Sequence, residues 1–271
     1  MEYMDGSEAP AGTQTLMHGI AVLKAVSDGA SNLKEIVAAT HLNRSTAHRL
    51  VQALCSERFL RDEGRSGLSL GPALIELGFK ARDSISIQEV AHPYLVDLSH
   101  ETKDTIHLAI ENCGSVLYLD KIHGQRGVEI RSWPGCRMPL TYTGVGKALL
   151  IDDSKRWTSQ YLQDRSLQDR SPEHDYANAN VFANAMAKFA KQGFAYDLEE
   201  NQKYIRCVAA PIKGVEGKTI AAISISAIAT FMPAQRMRKL GERIKQYAKK
   251  ISEEMGYTSS NDTSTGAGQR D

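Results

Sequence analysis

Two stretches of the chain carry groups that could do recognition chemistry. The first is HLNRSTAHRLVQAL, His41 to Leu54. Ala47, Leu50, Val51 and Leu54 recur at i, i+3, i+4 and i+7, which predicts a helix with one buried face. Asn43 is a suitable N-cap, so Arg44 to Thr46 form the first turn. Ser45, Thr46, His48, Arg49 and Gln52 then share the opposite face, a row of donors on a helix whose positive end points outward. Such a row suits a DNA groove. Arginine can pair bidentately with guanine, and hydroxyls can hold phosphates.

The second stretch is split. In TGVGKALLI, Gly144 to Gly146 read as a glycine turn opening a helix, with backbone N–H groups free at a positive helix end for a carboxylate. In TIAAISISAI, Ser224 and Ser226 are two residues apart, so both hydroxyls face one side of a strand that is otherwise apolar. Buried hydroxyls need partners, either neighbouring backbone or a small polar ligand. A phosphate loop is excluded, because Thr141 stands where its first Gly belongs and Ala148 where Ser or Thr must follow Lys147. Cys207 lies in no motif with any of the eight histidines that would activate it, and no carboxylates pair at acid/base spacing. A binding pocket is expected, not an enzyme.

The rest of the chain must position these groups. Its 271 residues suit two domains, and a net charge of +1 argues against a surface coated with nucleic acid. Arg44, Arg49, Arg58, Arg61 and Arg65 outnumber the nearby Glu57, Asp62 and Glu63 by a small margin, so phosphate contacts should be modest per protomer. The four cysteines form no CxxC pair and no Cys/His cluster, so neither a disulfide framework nor a metal site is expected. With no apolar signal core and no run near the ~20 apolar residues of a membrane span, a cytoplasmic protein without membrane partner is expected. Residues 1–12 and 257–271 read as disordered tails, the latter rich in Ser, Thr and Gly.

Before the opening stretch, Ile20, Leu23 and Val26 predict one helix and LKEIVAAT a second, with HLN as a brief turn. Helix, turn and helix at this spacing make a helix-turn-helix. ERFLRDEGRSGLSLG then reads as a β-hairpin wing carrying Arg61 and Arg65, which places the first domain at residues 13–71. Residues 72–86 predict a linker helix whose seam, Leu74, Leu77 or Gly78, Ala81 and Ile85, would pair with a second copy. From residue 87 to 256 a helix over QEVAHPYLVDLSHET, kinked or started by Pro93, precedes the strands TIHLAIE and SVLYLDKI. Further on, NVFANAMAKFAKQG is a helix ended by Gly193, and TIAAISISAI can only be a central strand covered on both faces. A last helix starts near Pro233. Strands followed by flanking helices make the second domain α+β, with a mostly antiparallel sheet.

The first domain, through STAHRL and the closing LGP, closely resembles the DNA-binding domain of the isocitrate lyase regulator (IclR) family of bacterial transcription factors. MPLTYTGVGKALL, GFAYDLEEN, RCVAAPIKG and AAISISAI are similar, in order and spacing, to that family's effector-binding domain. The resemblance implies a winged helix-turn-helix joined by a linker helix to a GAF-like α+β domain. It implies that Arg44, Ser45, Thr46, His48 and Arg49 enter the major groove, with Arg61 and Arg65 on backbone or minor groove. It also implies a pocket for a small carboxylic acid. There Gly144 and Val145 give N–H groups, Ser224 and Ser226 give hydroxyls, Asp197 accepts from a ligand hydroxyl or fixes its loop, and Cys207 lines the wall.

Three positions depart from the family pattern: Lys34 where a capping hydroxyl is commoner, Leu68 where an aromatic is commoner, and Tyr204 where a Gly is usual. Lys34 is expected to soften a helix cap, and Tyr204 to resize or cap the pocket. No arginine stands among these pocket residues, which favours sugar-derived or short aliphatic acids over aromatic ones. The resulting expectation is a homodimeric or tetrameric regulator of an operator, more a repressor than an activator. The alternative from another class is a small-acid binder or converter that uses the helix-turn-helix only for assembly.

Overall fold

The computed structural model describes residues 10, 12–127, 130–167 and 176–258, without the side chains of residues 65 and 82–84. The expected tails therefore lie almost wholly outside the described residues, as does the whole 168–175 stretch. The chain divides into two compact units, Met1–Ile85 and Ser86–Asp271.

The first unit begins with three helices, α1 (Gln14–Ser27), α2 (Leu33–Thr40) and α3 (Arg44–Ser56). Val22, Val26, Ile36, Ala47 and Leu60 make its small core. The apolar face expected of α3 is the face that packs. α2 is capped by Asn32, whose side chain accepts from the Glu35 N–H, while Glu35 accepts from the Ser31 N–H at 2.7 Å. Lys34 therefore does not soften this cap, because Ser31, Asn32 and Glu35 build it without the side chain at position 34. Strands β1 (Leu60–Asp62) and β2 (Leu68–Leu70) form the antiparallel wing, with Arg61 opposite Ser69 and a 3-10 turn at Gly64–Ser66.

Helix α4 (Pro72–Ser84) follows. Its exposed apolar side chains are Ile75, Leu77 and Phe79, with Ile85 just beyond it. Leu74 is half-buried. Leu77 and Ile85 of the expected seam are thus exposed, and Ile75 and Phe79, one turn apart, widen the apolar surface.

The second unit opens with α5 (Ile87–Thr102), capped by Ser86, so Pro93 lies inside the helix and does not start it. Strands β3 (Thr105–Asn112), β4 (Ser115–Ile122) and the short β5 (Arg137–Met138) come next. Then follow α6 (Gly144–Leu149), α7 (Trp157–Ser166) and α8 (Ala179–Gln192). β6 (Ala195–Leu198), β7 (Ile205–Lys213), β8 (Thr219–Ile228) and α9 (Ala234–Glu254) complete the unit. Helices α6, α7 and α8 thus stand between β5 and β6, in the order the sequence predicts for α6 and α8. β5 and α7 were not legible as elements.

The six strands form one antiparallel sheet in the order β5-β4-β3-β8-β7-β6. β8 sits inside it, as its apolar run requires: a strand with both faces covered has no polar alternation to show. One face of the sheet (Ile106, Leu108, Val208, Ile223, Ile225) packs on α5 and α9. The other (Ala109, Val116, Ala195, Ala209, Ala222) packs on α6, α7 and α8.

Candidate DNA-reading helix and effector pocket

In the first unit, Asn43 caps α3 by accepting from the Thr46 N–H at 2.8 Å. The Ser45 hydroxyl donates to the same Asn43 oxygen at 2.9 Å, so Ser45 helps fix the first turn. Arg44, Ser45, His48 and Arg49 are exposed, and Thr46 is half-buried. Four of the five expected reading residues thus lie together on the open face, with the N–H groups of the first turn beside them. Arg61, on the wing, pairs with Glu63 in its own hairpin, so its charge is partly spent locally. The side chain of Arg65 lies outside the described ones.

In the second unit, strand register gathers a set of polar side chains on the α6 face of the sheet. Asp197 on β6 stands opposite Cys207 on β7, and Cys207 opposite Ser226 on β8. Ser224, two residues back on β8, stands opposite His107 on β3. Cys207 Sγ lies 2.9 Å from Ser226 Oγ. His107 Nδ1 lies 3.4 Å from Ser224 Oγ and 3.5 Å from Ser226 Oγ, while its Nε2 lies 2.8 Å from Ser132 Oγ.

Over this row stands the start of α6. Thr143 caps it, its hydroxyl accepting from the Gly146 N–H at 3.0 Å. Gly144 and Val145 are therefore the first helical residues and not a turn before the helix, a small correction with a useful result. Their N–H groups precede the intrahelical ladder. Both glycines are needed for close approach. A Cβ on Gly146 would lie 2.1 Å from the Leu140 carbonyl oxygen, and one on Gly144 would lie 3.0 Å from Cys207 Cβ.

A cavity between helix and sheet is lined by all six expected residues: Gly144, Val145, Asp197, Cys207, Ser224 and Ser226. Its free volume, about 20 Å3, has room for one water molecule. His107, Tyr118, Arg131 and Ser132 line it too, and sequence reasoning missed them. The signal for His107 was a histidine in the strict alternation of TIHLAIE. The arginine-free pocket is corrected by Arg131, an exposed residue in the irregular segment before β5 that no periodicity marks. Tyr204 is corrected as well: its ring is 62% exposed and does not line the cavity. Its backbone φ is 68°, the left-handed region, which accounts for a Gly being usual at this place.

The charge under the pocket is buried and paired. Lys147 Nζ lies 2.9 Å from Glu200 Oε1 and donates to the Tyr196 carbonyl at 2.9 Å, with neither Lys147 nor Glu200 appreciably exposed. Burial would lower the Lys147 pKa, but Glu200 outweighs it and holds the ammonium above its usual range. Asp197, 1% exposed, is pushed well above the usual carboxylate range by burial and then by the charge of Glu200. Burial, then the charge on Asp197, also pushes the Cys207 thiol well up, the reverse of what a nucleophile needs. His107 is pushed down to about 3 by burial and by the charges of Lys121 and His123. The cavity wall thus combines hydroxyls, a thiol, an imidazole, a carboxyl group whose pKa burial raises, and the exposed Arg131. Among the described residues no group of three His, Cys, Asp or Glu could hold a metal ion, and no helix is long and apolar enough to cross a membrane.

A winged helix-turn-helix followed by an α+β sensor-type domain defines a class of bacterial transcription factor. The chain belongs to the IclR family: residues 15–64 match the IclR helix-turn-helix domain, and residues 79–253 match the C-terminal domain of bacterial transcriptional regulator IclR. It is 28% identical over 247 residues to the HTH-type transcriptional regulator XynR of Escherichia coli K12, covering 90% of this chain and 98% of that one. It is 26% identical over 267 residues to the DNA-binding transcriptional repressor YiaJ of the same organism, covering 95% and 93%. The repressor BlcR of Agobacterium tumefaciens shares the fold, with a TM-score of 0.78 at 21% identity over 92% of this chain and 99% of that one.

Proposed function

We propose that the chain is a ligand-responsive transcriptional repressor whose effector is a small carboxylic acid. It acts as a homodimer or dimer of dimers on paired operator half-sites, since one helix reads too few bases alone. Arg44, Ser45, Thr46, His48 and Arg49 enter the major groove, with Arg61 and Arg65 on the backbone or minor groove. Gly144 and Val145 offer N–H groups to the carboxylate, and Ser224 and Ser226 donate hydroxyls. Asp197 accepts from a ligand hydroxyl while its Oδ1 holds the Glu200 and Asn201 N–H groups of its loop, and Cys207 lines the wall. The observation that carries this reading is the row of buried Asp197, half-buried Cys207 and buried Ser226 and Ser224, which lines one cavity with the first residues of α6. The effector must bind one arrangement of the DNA-binding units better than another, and it must open a cavity that holds one water when empty.

The test is a thermal-shift screen of the full chain against sugar acids, short aliphatic acids and aromatic acids, repeated on Ser224→Ala/Ser226→Ala. An acid at 100 times its Kd stabilises by about 2.7 kcal/mol, a shift of several degrees. The double variant should not respond. Selection of DNA sites from a random pool should return a repeated motif with the wild type and none with Arg49→Ala. No acid response would remove the effector assignment, and an unchanged motif with Arg49→Ala would remove the helix-turn-helix from DNA reading.

A further inference from the structure

Tyr118 stands on β4 at the far end of the same polar row, two strands beyond the serines of β8. It is 7% exposed and lines the cavity. Among the described residues its hydroxyl makes no hydrogen bond, yet every fully enclosed side-chain polar atom has a partner. The hydroxyl therefore touches open space, and the space Tyr118 lines is the effector cavity. A hydroxyl that has no partner among the described residues and opens on the cavity is free to donate to or accept from a polar group placed there.

The side chain is also held still. Its backbone N–H donates to the Cys136 carbonyl at 3.1 Å, and its own carbonyl accepts from Gly135 N–H at 2.8 Å. The ring packs on His107, centroids 5.0 Å apart at 56°. His107 is pinned in turn by Ser132. Ring and imidazole thus share a wall of the cavity on β3 and β4, while Gly144 stands over β6 and β7.

We propose that Tyr118, positioned by His107, is a specificity-determining residue of the effector site that hydrogen-bonds an uncharged hydroxyl or carbonyl group at the end of the acid away from its carboxylate. The inference rests on the reading of the cavity as an acid site. Tyr118 and His107 both stay neutral, the first because burial pushes its pKa far up, the second because burial pushes it down to about 3. That wall matches a neutral group and leaves a second carboxylate without a counter-charge from either ring. The chemical class selected is a hydroxy or oxo acid over the plain acid of the same carbon skeleton.

The experiment measures Kd by thermal shift or calorimetry on the full chain with matched pairs: 4-hydroxybenzoate and benzoate, 5-hydroxypentanoate and pentanoate, D-gluconate and hexanoate. In the wild type the hydroxylated member of a binding pair should bind about tenfold tighter, the worth of one hydrogen bond to a buried group. Tyr118→Phe should bring that ratio to about one, leave Kd for the plain acid unchanged, and show an acid-free Tm equal to or above wild type. A tenfold preference that survives in Tyr118→Phe would overturn the proposal, and so would equal weakening of both members. In either case Ser224→Ala and Ser226→Ala, by weakening both members, would leave the acid site itself standing. A wild type that responds to no pair would overturn the acid site, and this inference with it.

Discussion

Val208, Ala210, Ile223 and Ile225 point toward α5 and α9, while their chain neighbours Cys207, Ala209, Ser224 and Ser226 point toward α6. The same two strands thus serve two different surfaces. The four residues named on the first face are all apolar, and burying them contributes stability in proportion to area. On the second, the half near Ala109, Ala209 and Ala222 packs against α6 and α8, and the other half is polar. That half gives up hydrophobic stabilisation for hydroxyls, a thiol and an imidazole, joined by hydrogen bonds that run from 2.8 to 3.5 Å. The comparison teaches where a site can sit in a small sheet: on alternate residues of strands already fixed by the opposite face.

Four measurements would break or sharpen this contrast. Both tryptophans, Trp133 and Trp157, lie in the second unit, so denaturation followed by their fluorescence reports that unit. Lys147→Met should cost about 3–5 kcal/mol, because it strands Glu200 in the interior, and Lys147→Met/Glu200→Leu should recover most of the loss. A small loss in the single variant would mean that the pair is dispensable under the polar half.

Ile225→Ala should cost about 2–4 kcal/mol as a buried large-to-small change on the apolar face. It should leave acid preference unchanged, and altered preference would show that the faces are not separable. His107 gives the third test. Its pKa falls from 6.5 to about 3 on folding, so between those values the unfolded chain binds a proton that the native chain refuses. Its contribution is therefore complete above pH 6.5 and is lost as pH falls toward 3, at up to ~1.4 kcal/mol per pH unit. His107→Gln should show a shallower fall between pH 6.5 and 5, and an equal slope would mean that the imidazole titrates normally. Smallest is Ser224→Ala, within about 1 kcal/mol of wild type, since its hydroxyl has one contact at 3.4 Å. A cost of several kcal/mol would make Ser224 structural.

Much of this was legible from residues alone. The period of Ala47, Leu50, Val51 and Leu54 gave α3 and its open face, and the unbroken apolar run 219–228 placed β8 inside the sheet. Ser224 and Ser226 could be paired because strand periodicity is fixed at two. His107 and Tyr118 could not be joined to them, because β3 and β4 lie about a hundred residues earlier and register across the sheet is a long-range property. Lys147 was visible as a lone charge in GVGKALL, but its partner Glu200 comes from a turn after β6 that carries no pattern. Tyr204 misled for a different reason. The sequence shows that a glycine position has been filled, and only the backbone shows that the position demands a left-handed φ and turns the ring outward.

The placement of β8 has a consequence for how the chain matures. β3 and β4 on one side, and β6 and β7 on the other, are joined into one sheet only through β8, which pairs with β3 and β7. During synthesis the sensor sheet therefore stays as two unjoined halves until residue 228 has left the ribosome, whereas the first unit is complete by residue 85. Domains fold as units from the N-terminus, and pairings distant in sequence form late. A nascent chain stalled before β8 would thus display a finished helix-turn-helix unit ahead of an α+β unit whose cavity still lacks Ser224 and Ser226.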